Sequence, residues 1–168
     1  IKKALCSVGA HECIHYSFFS PSDLDLLRLP ADAPERTAIR IMNPISEELS
    51  LMRTTLAASM INAVVRNQKK GNLEGRLFEV AKKFIPKDLP LTEYPQERQT
   101  LCVATFGTQE SFFTMKGIAE KVAEVLHVEF TYANTQNTFL HPFQTASVSC
   151  EGVEIGYFGK LAYDIADE

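Results

Sequence analysis

The 168 residues contain no tryptophan, and the four cysteines (Cys6, Cys13, Cys102 and Cys150) form no C-x-x-C pair. The missing pair speaks against a zinc knuckle and a dithiol redox motif. Cysteines scattered through apolar stretches suit free thiols in a reducing compartment, so a cytoplasmic location is expected. No apolar run approaches the ~20 residues that a bilayer crossing requires, which leaves no membrane role in view. The start, Ile1-Lys2-Lys3-Ala4-Leu5-Cys6, has neither the long apolar stretch nor the small-residue cleavage site of a signal peptide. It also lacks an initiator methionine, and the chain is expected to be an excised piece of something longer. Eight glycines and eight prolines are too few for collagen or a linker. The sequence holds no G-x-S-x-G elbow, P-loop, G-x-G-x-x-G or H-E-x-x-H.

With 45% apolar and 23% charged residues, the composition is that of a globular protein. A single domain over residues 1–168 is expected. The net charge of −4 exerts no general pull on nucleic acid, but its distribution is uneven. Between positions 66 and 87, seven cations (Arg66, Lys69, Lys70, Arg76, Lys82, Lys83 and Lys87) face only Glu74 and Glu79. Such a patch could meet phosphate or an acidic partner, but a solvated helix end followed by an exposed strand face is the favoured reading.

Hydrophobic periodicity outlines an α+β domain, an antiparallel sheet flanked by helices. A short helical end stops at Gly9, and alternation of Ile14, Tyr16 and Phe18 predicts a strand. Ser20-Pro21-Ser22-Asp23 reads as a capped start for a short helix reaching Leu27. Residues 37–42 form a β-rich run ended by Asn43-Pro44. Leu56, Met60, Ala63 and Val64 recur at helical spacing, predicting a helix over residues 55–70 capped by Thr54 or Thr55 and stopped by Gly71. From Gly75 the period returns to strand, with Phe78, Val80 and Phe84 on one face. A nearly all-apolar run over residues 100–106 reads as a central strand, antiparallel to the first across a proline-rich loop. Ile118, Val122, Val125 and Leu126 form the stripe of another helix, with Thr114 as its cap. Val128, Phe130 and Tyr132 alternate, and Glu151-Gly152 joins two final strands in a tight hairpin.

Few residues offer chemistry. His11 and His15 have the spacing of a metal-binding helical pair, but in a strand they lie ~13 Å apart, so no metal site is expected. His141-Pro142 reads as a structural turn before the last hairpin. Glu79, between Phe78 and Val80, would need a cleft to act as an acid. As an edge or partly exposed ion-pair residue, with Lys82 and Lys83 nearby, it needs nothing special.

Several ordered segments resemble the β subunit of bacterial phenylalanyl-tRNA synthetase. They begin with Tyr16-Ser17-Phe18-Phe19-Ser20-Pro21 and Asn43-Pro44-Ile45-Ser46-Glu47-Glu48, followed by Met52-Arg53-Thr54-Thr55-Leu56 and Arg66-Asn67. Arg76-Leu77-Phe78-Glu79-Val80, Met115-Lys116-Gly117, Phe139-Leu140-His141-Pro142 and Ile155-Gly156-Tyr157-Phe158-Gly159-Lys160-Leu161 continue the series. The run from Asn43-Pro44 to Arg53-Thr54-Thr55 is the most specific, and together the segments cover nearly the whole chain.

The resemblance implies a class II aminoacyl-tRNA synthetase-like core that is itself non-catalytic and supports an (αβ)₂ assembly with the α subunit. ATP and Mg would then belong to the whole enzyme, which joins phenylalanine to its tRNA, and not to this domain. It also implies that Phe78 and Glu79 occupy the position where an active synthetase carries an aromatic residue and then an arginine against the ATP α-phosphate. A carboxylate there repels phosphate. The third arginine-bearing motif is expected to be missing, because the chain stops at Asp167-Glu168. Asn43, Pro44, Arg53, Thr54, Thr55, Asn67, His141 and Pro142 match the family pattern as structural residues. Phe143-Gln144-Thr145-Ala146 departs from the usual Gly-Arg-Ser-Ala, which puts any role of that arginine in doubt. The alternative reading is a tRNA-backbone contact through residues 66–87, with Lys69, Lys70, Lys82 and Lys83 touching tRNA or a neighbouring subunit.

Overall fold

The computed structural model describes residues 1–166, so the expectation attached to Asp167-Glu168 lies outside the described residues. In order the elements are α1 (Lys2–Ser7), β1 (His11–Glu12), β2 (Phe18–Phe19), α2 (Pro21–Leu26), β3 (Leu51–Met52), α3 (Ala57–Lys69) and β4 (Gly75–Ile85). There follow β5 (Gln96–Phe106), α4 (Phe112–Leu126), β6 (Phe130–Asn134), β7 (Leu140–Cys150), β8 (Val153–Leu161) and α5 (Tyr163–Ala166). Strands β1-β4-β5, β2-β3 and β6-β7-β8 form sheets in those orders, and the β2–β3, β6–β7 and β7–β8 ladders are antiparallel. Helices and antiparallel sheets together make the α+β class that the periodicity predicts.

The chain forms two compact units. One comprises Ile1–His11, Leu73–Arg76 and the chain from Thr105 onward; the other comprises Glu12–Asn72 and Leu77–Ala104. In the first, α4 presents buried Ile118, Val122 and Ala123, and it packs on α1 and on β8. Phe112 of α4 stacks against Phe158 of β8, which in turn meets Tyr132 of β6 edge-on. The α4 start differs from the expected cap at Thr114. Ser111 is the N-cap, its hydroxyl accepting from the Thr114 N–H, while the Thr114 hydroxyl accepts from the Ser111 N–H. Thr114 is therefore the third residue of a reciprocal box, which extended the helix three residues earlier than the apolar stripe suggested. Val125 and Leu126, assigned to that stripe, are exposed.

The β7–β8 hairpin turns at Glu151 and Gly152 with φ of 51° and 79°, the left-handed pair that a two-residue turn requires. Nearer its open end, the register shifts between Leu140 and Thr145. There the backbones approach so closely that a Cβ on Gly159 would lie 2.5 Å from the Gln144 carbonyl oxygen and 2.8 Å from Thr145 Oγ1. His141 and Pro142 lie inside β7 rather than in the loop expected for them. Two prolonged strands with a bulge accommodate a proline that would have stopped a regular ladder.

In the second unit, α2 starts as expected: Ser20 caps it, Asp23 bonds back to the Ser20 N–H at 2.8 Å, and Pro21 fills the first turn. Its Leu24 joins Phe19 and Ala38 in a buried cluster flanked by Leu29 and Leu51. Helix α3 buries Ala58, Met60 and Ala63, and the Thr55 hydroxyl accepts from the Ala57 N–H at its start. It ends before Gly71, whose φ is +87°. Three strand expectations change. Residues 13–17 are an extended link, not a strand, and Ile14 is 90% exposed. Residues 37–42 contribute only a bridge from Arg40 to Leu51. Strand β5 lies at an edge of its sheet, not at the centre; β4 is central, and buries Leu77, Phe78 and Glu79 in succession. Apolar content alone does not separate a central strand from a half-buried edge strand.

Substituting Gly159→Ala forces the bulged β7 backbone to move. A loss of about 1–3 kcal/mol is expected from such overpacking, read as a lower thermal midpoint; an unchanged midpoint would contradict the close approach.

Candidate functional site: a buried carboxylate held by Arg53 and His15

Glu79 follows fully buried Phe78 on central strand β4 and is itself 3% exposed. A carboxylate at that depth is stable only when its oxygens are hydrogen-bonded and its charge is opposed. Both conditions are met within the second unit. Arg53 Nη1 donates to Oε1 at 3.1 Å, and the His15 backbone N–H donates to the same oxygen at 3.2 Å. His15 Nδ1 donates to Oε2 at 2.8 Å. An ionised carboxylate only accepts, so Nδ1 holds a proton and the imidazole is fixed in orientation.

Arg53 leaves β3 with its own backbone committed: its N–H donates to the Ser17 carbonyl and its carbonyl accepts from the Phe84 N–H. Its side chain, 3% exposed, donates through Nε to the Lys82 carbonyl at 2.9 Å and through Nη1 to the Tyr16 carbonyl at 3.2 Å. One guanidinium thus ties the 15–17 link, the end of β3 and strand β4 together. The Tyr16 and Ser17 carbonyls accept from Arg53, while the Cys13 N–H donates to the Phe78 carbonyl of β4 and the His15 N–H to the Glu79 side chain, so the link is held by single bonds rather than a ladder. Next along the chain, Thr54 Oγ1 donates to the Glu35 carbonyl at 2.6 Å.

The sequence placed Glu79 at an edge or in partial exposure, with Lys82 and Lys83 nearby. It is instead buried, and its partners are Arg53 and His15. Lys82 pairs outward with Glu97 at 2.7 Å, and Lys83 is half-buried on β4. Elsewhere in the basic stretch, Lys87 pairs with Glu93 at 3.1 Å and Arg76 with Glu110 at 2.8 Å. Lys69 and Lys70 sit exposed at the end of α3. Three of the seven cations, Arg76, Lys82 and Lys87, are thus paired with carboxylates. Asn67 Nδ2 donates to the Ala63 carbonyl and Asn67 Oδ1 accepts from Asn72 Nδ2, which closes the last turn of α3. Asn43 and Pro44 are exposed, as is His11, while His15 is committed to Glu79. Among the described residues, no three His, Cys, Asp or Glu side chains converge as a metal site.

The carboxylate also sets the chemistry of two thiols. Burial first, then the negative charge of Glu79 and the proximity of Cys13, pushes the Cys102 thiol on β5 from its ordinary 9.0 up to about 12. Cys13 is raised by the same two leading causes, with Arg66 partly opposing them. Neither has the depressed pKa of a nucleophile. A nucleotide triphosphate does not fit this arrangement either: the carboxylate would repel it, and the guanidinium that could grip it is already engaged at three acceptors.

A family model described as the phenylalanyl tRNA synthetase beta chain CLM domain matches residues 1–168. The chain belongs to this family. It is 34% identical over 165 residues to the phenylalanine–tRNA ligase beta subunit of Clostridium acetobutylicum, covering 97% of this chain and 21% of that one. With the same subunit of Clostridium tetani it shares 34% over 169 residues, or 99% and 21% of the two chains. The chain thus spans about one fifth of the length of these curated relatives. Among solved structures, a pyrrolysyl-tRNA synthetase from Desulfitobacterium hafniense superposes with a TM-score of 0.67 at 16% identity, covering 93% of this chain and 52% of that one. That likeness establishes the fold, a class II synthetase-like core. Among the described residues no helix is long and apolar enough to cross a membrane.

What the sequence missed is the identity of Glu79's partners. The signal was present: a carboxylate flanked by Phe78 and Val80 in a strand demands a cation, and Arg53 stood in the most specific family segment.

The raised Cys102 pKa has a signed consequence. Below pH 9 both folded and unfolded chains keep that proton; between 9 and about 12 only the folded chain does, so its contribution to stability falls as pH rises through this window. Urea midpoints should drop from pH 8 to pH 10 by less in Cys102→Ala than in the unmodified chain. At pH 8 a thiol-alkylating reagent should modify exposed Cys6 well before Cys102. Equal rates would contradict this assignment.

Proposed function

We propose that this domain is a non-catalytic, core-like part of a phenylalanine–tRNA ligase beta subunit whose role is to support assembly with the α subunit. One observation carries the reading: both carboxylate oxygens of Glu79 are satisfied from within the chain, by Arg53 and His15. The synthetase-like fold is kept, while the place where the family resemblance puts an ATP-gripping arginine holds a buried, neutralised carboxylate. ATP and Mg are then requirements of the whole enzyme, met on the α subunit, and the proposed assembly is (αβ)₂ in the cytoplasm.

Assembly is supported by apolar side chains that find no cover in the second unit. Ile14, Tyr16, Met42 and Ile45 are all well exposed, and large exposed apolar groups mark interaction surfaces. The competing reading, tRNA-backbone contact by Lys69, Lys70, Lys82 and Lys83, is weakened by the Lys82–Glu97 pair, which engages one of the four cations.

The test has two arms. The isolated 168 residues should catalyse no ATP–pyrophosphate exchange. In the full subunit, Met42→Lys with Ile45→Lys should lower the yield of α–β complex in sedimentation. Robust exchange by the isolated chain, or undiminished assembly of the double variant, would count against the proposal.

A further inference from the structure

The first unit contains a cavity of about 410 Å³ lined by Asn134, Thr135, Gln136, Pro142, Phe143 and Thr145. Nothing in the assembly reading uses it. Phe143 is 90% exposed, an unfavourable position for an aromatic ring, and it is held there by local bonds. Its N–H donates to His141 Nδ1 at 3.2 Å, and Thr145 Oγ1 donates to the His141 carbonyl at 2.7 Å, across the register shift of β7. The His141 ring lies 6.1 Å from that of Phe143 and 5.4 Å from that of Tyr163, the latter perpendicular. Lys160 Nζ sits 4.4 Å above the Tyr163 ring and donates to its hydroxyl at 3.1 Å. Among the described residues Lys160 has no carboxylate partner.

We infer that this surface binds one unpaired nucleotide of an RNA, with Phe143 as the stacking plate. Four features select that ligand. The cavity volume falls in the range of small-molecule sites, about 300–1,000 Å³. Phe143 offers an open ring, and base stacking on aromatic rings is the usual way single-stranded RNA is held. Asn134 and Gln136 carry amides, and Thr135 a hydroxyl, able to donate to and accept from a base edge. Among the described residues no carboxylate lines the cavity, and Lys160, outside the lining and reached from Phe143 through the His141 and Tyr163 rings, supplies a cation for phosphate. A protein partner is disfavoured because an aromatic anchor for protein normally lies in an apolar surround, whereas the neighbours of Phe143 in this cavity are mostly amides and hydroxyls.

The identity of the RNA as tRNA rests on the function proposed above; the chemistry of the site does not. The experiment uses the full beta subunit with its α subunit and phenylalanine tRNA, measuring Kd across a salt series. Phe143→Ala should weaken binding by about tenfold, while Phe143→Tyr keeps it. Lys160→Gln should reduce the slope of log K against log salt by about one phosphate contact. Sedimentation of the same samples reports assembly, and the unmodified pair there tests the assembly reading separately. An unchanged Kd for Phe143→Ala overturns the inference. So does a Phe143→Ala complex that dissociates with tRNA affinity otherwise intact, since that result assigns the surface to a protein partner.

Discussion

A buried carboxylate must be answered by a cation, and in the second unit that requirement organises the local chain. Glu79 lies at the centre of its sheet on β4, between two buried or half-buried apolar neighbours. Arg53 meets it, and because a guanidinium has several donors in a fixed plane, the same side chain also caps the Tyr16 and Lys82 carbonyls. His15 closes the remaining oxygen. Removing either member of such a pair strands a charge in low dielectric, which typically costs about 3–5 kcal/mol, whereas replacing both with apolar groups is close to neutral.

This constraint links architecture to function. Class II synthetase-like topology is retained, and the chain belongs to a family named for the beta chain of phenylalanyl-tRNA synthetase. Inside that topology, positive charge that could hold a phosphate is consumed by an internal anion. The Cys13 and Cys102 thiols are driven toward inertness by burial first and then by the same charge. Ile14 and Tyr16, both exposed, flank the His15 that completes this ion-paired link.

Much of the fold was legible because local chemistry is self-contained. Ser20-Pro21-Ser22-Asp23 specifies a helix start by itself, and Glu151-Gly152 specifies a hairpin turn. Where an element depends on a distant partner, the sequence was ambiguous. The alternation at Ile14, Tyr16 and Phe18 looked like one strand, but of these only Phe18 lies in a ladder, and the Tyr16 carbonyl accepts from Arg53 instead. Strand β5 looked central, since an apolar run does not report whether another strand lies beside it. At the candidate site, a carboxylate between apolar neighbours was readable from Phe78-Glu79-Val80. Its burial and its partners were not, because Arg53 is 26 positions away and His15 is 64.

The central claim, that Glu79 and Arg53 form one coupled unit within the interior, is tested most directly by a double-mutant cycle. Unfolding free energies would be measured for Arg53→Met, Glu79→Leu and the two together. The account predicts that each single change destabilises by about 3–5 kcal/mol and that the pair costs far less than their sum, a coupling of at least about 1 kcal/mol. Strictly additive effects would mean that the two side chains act independently, and would contradict it.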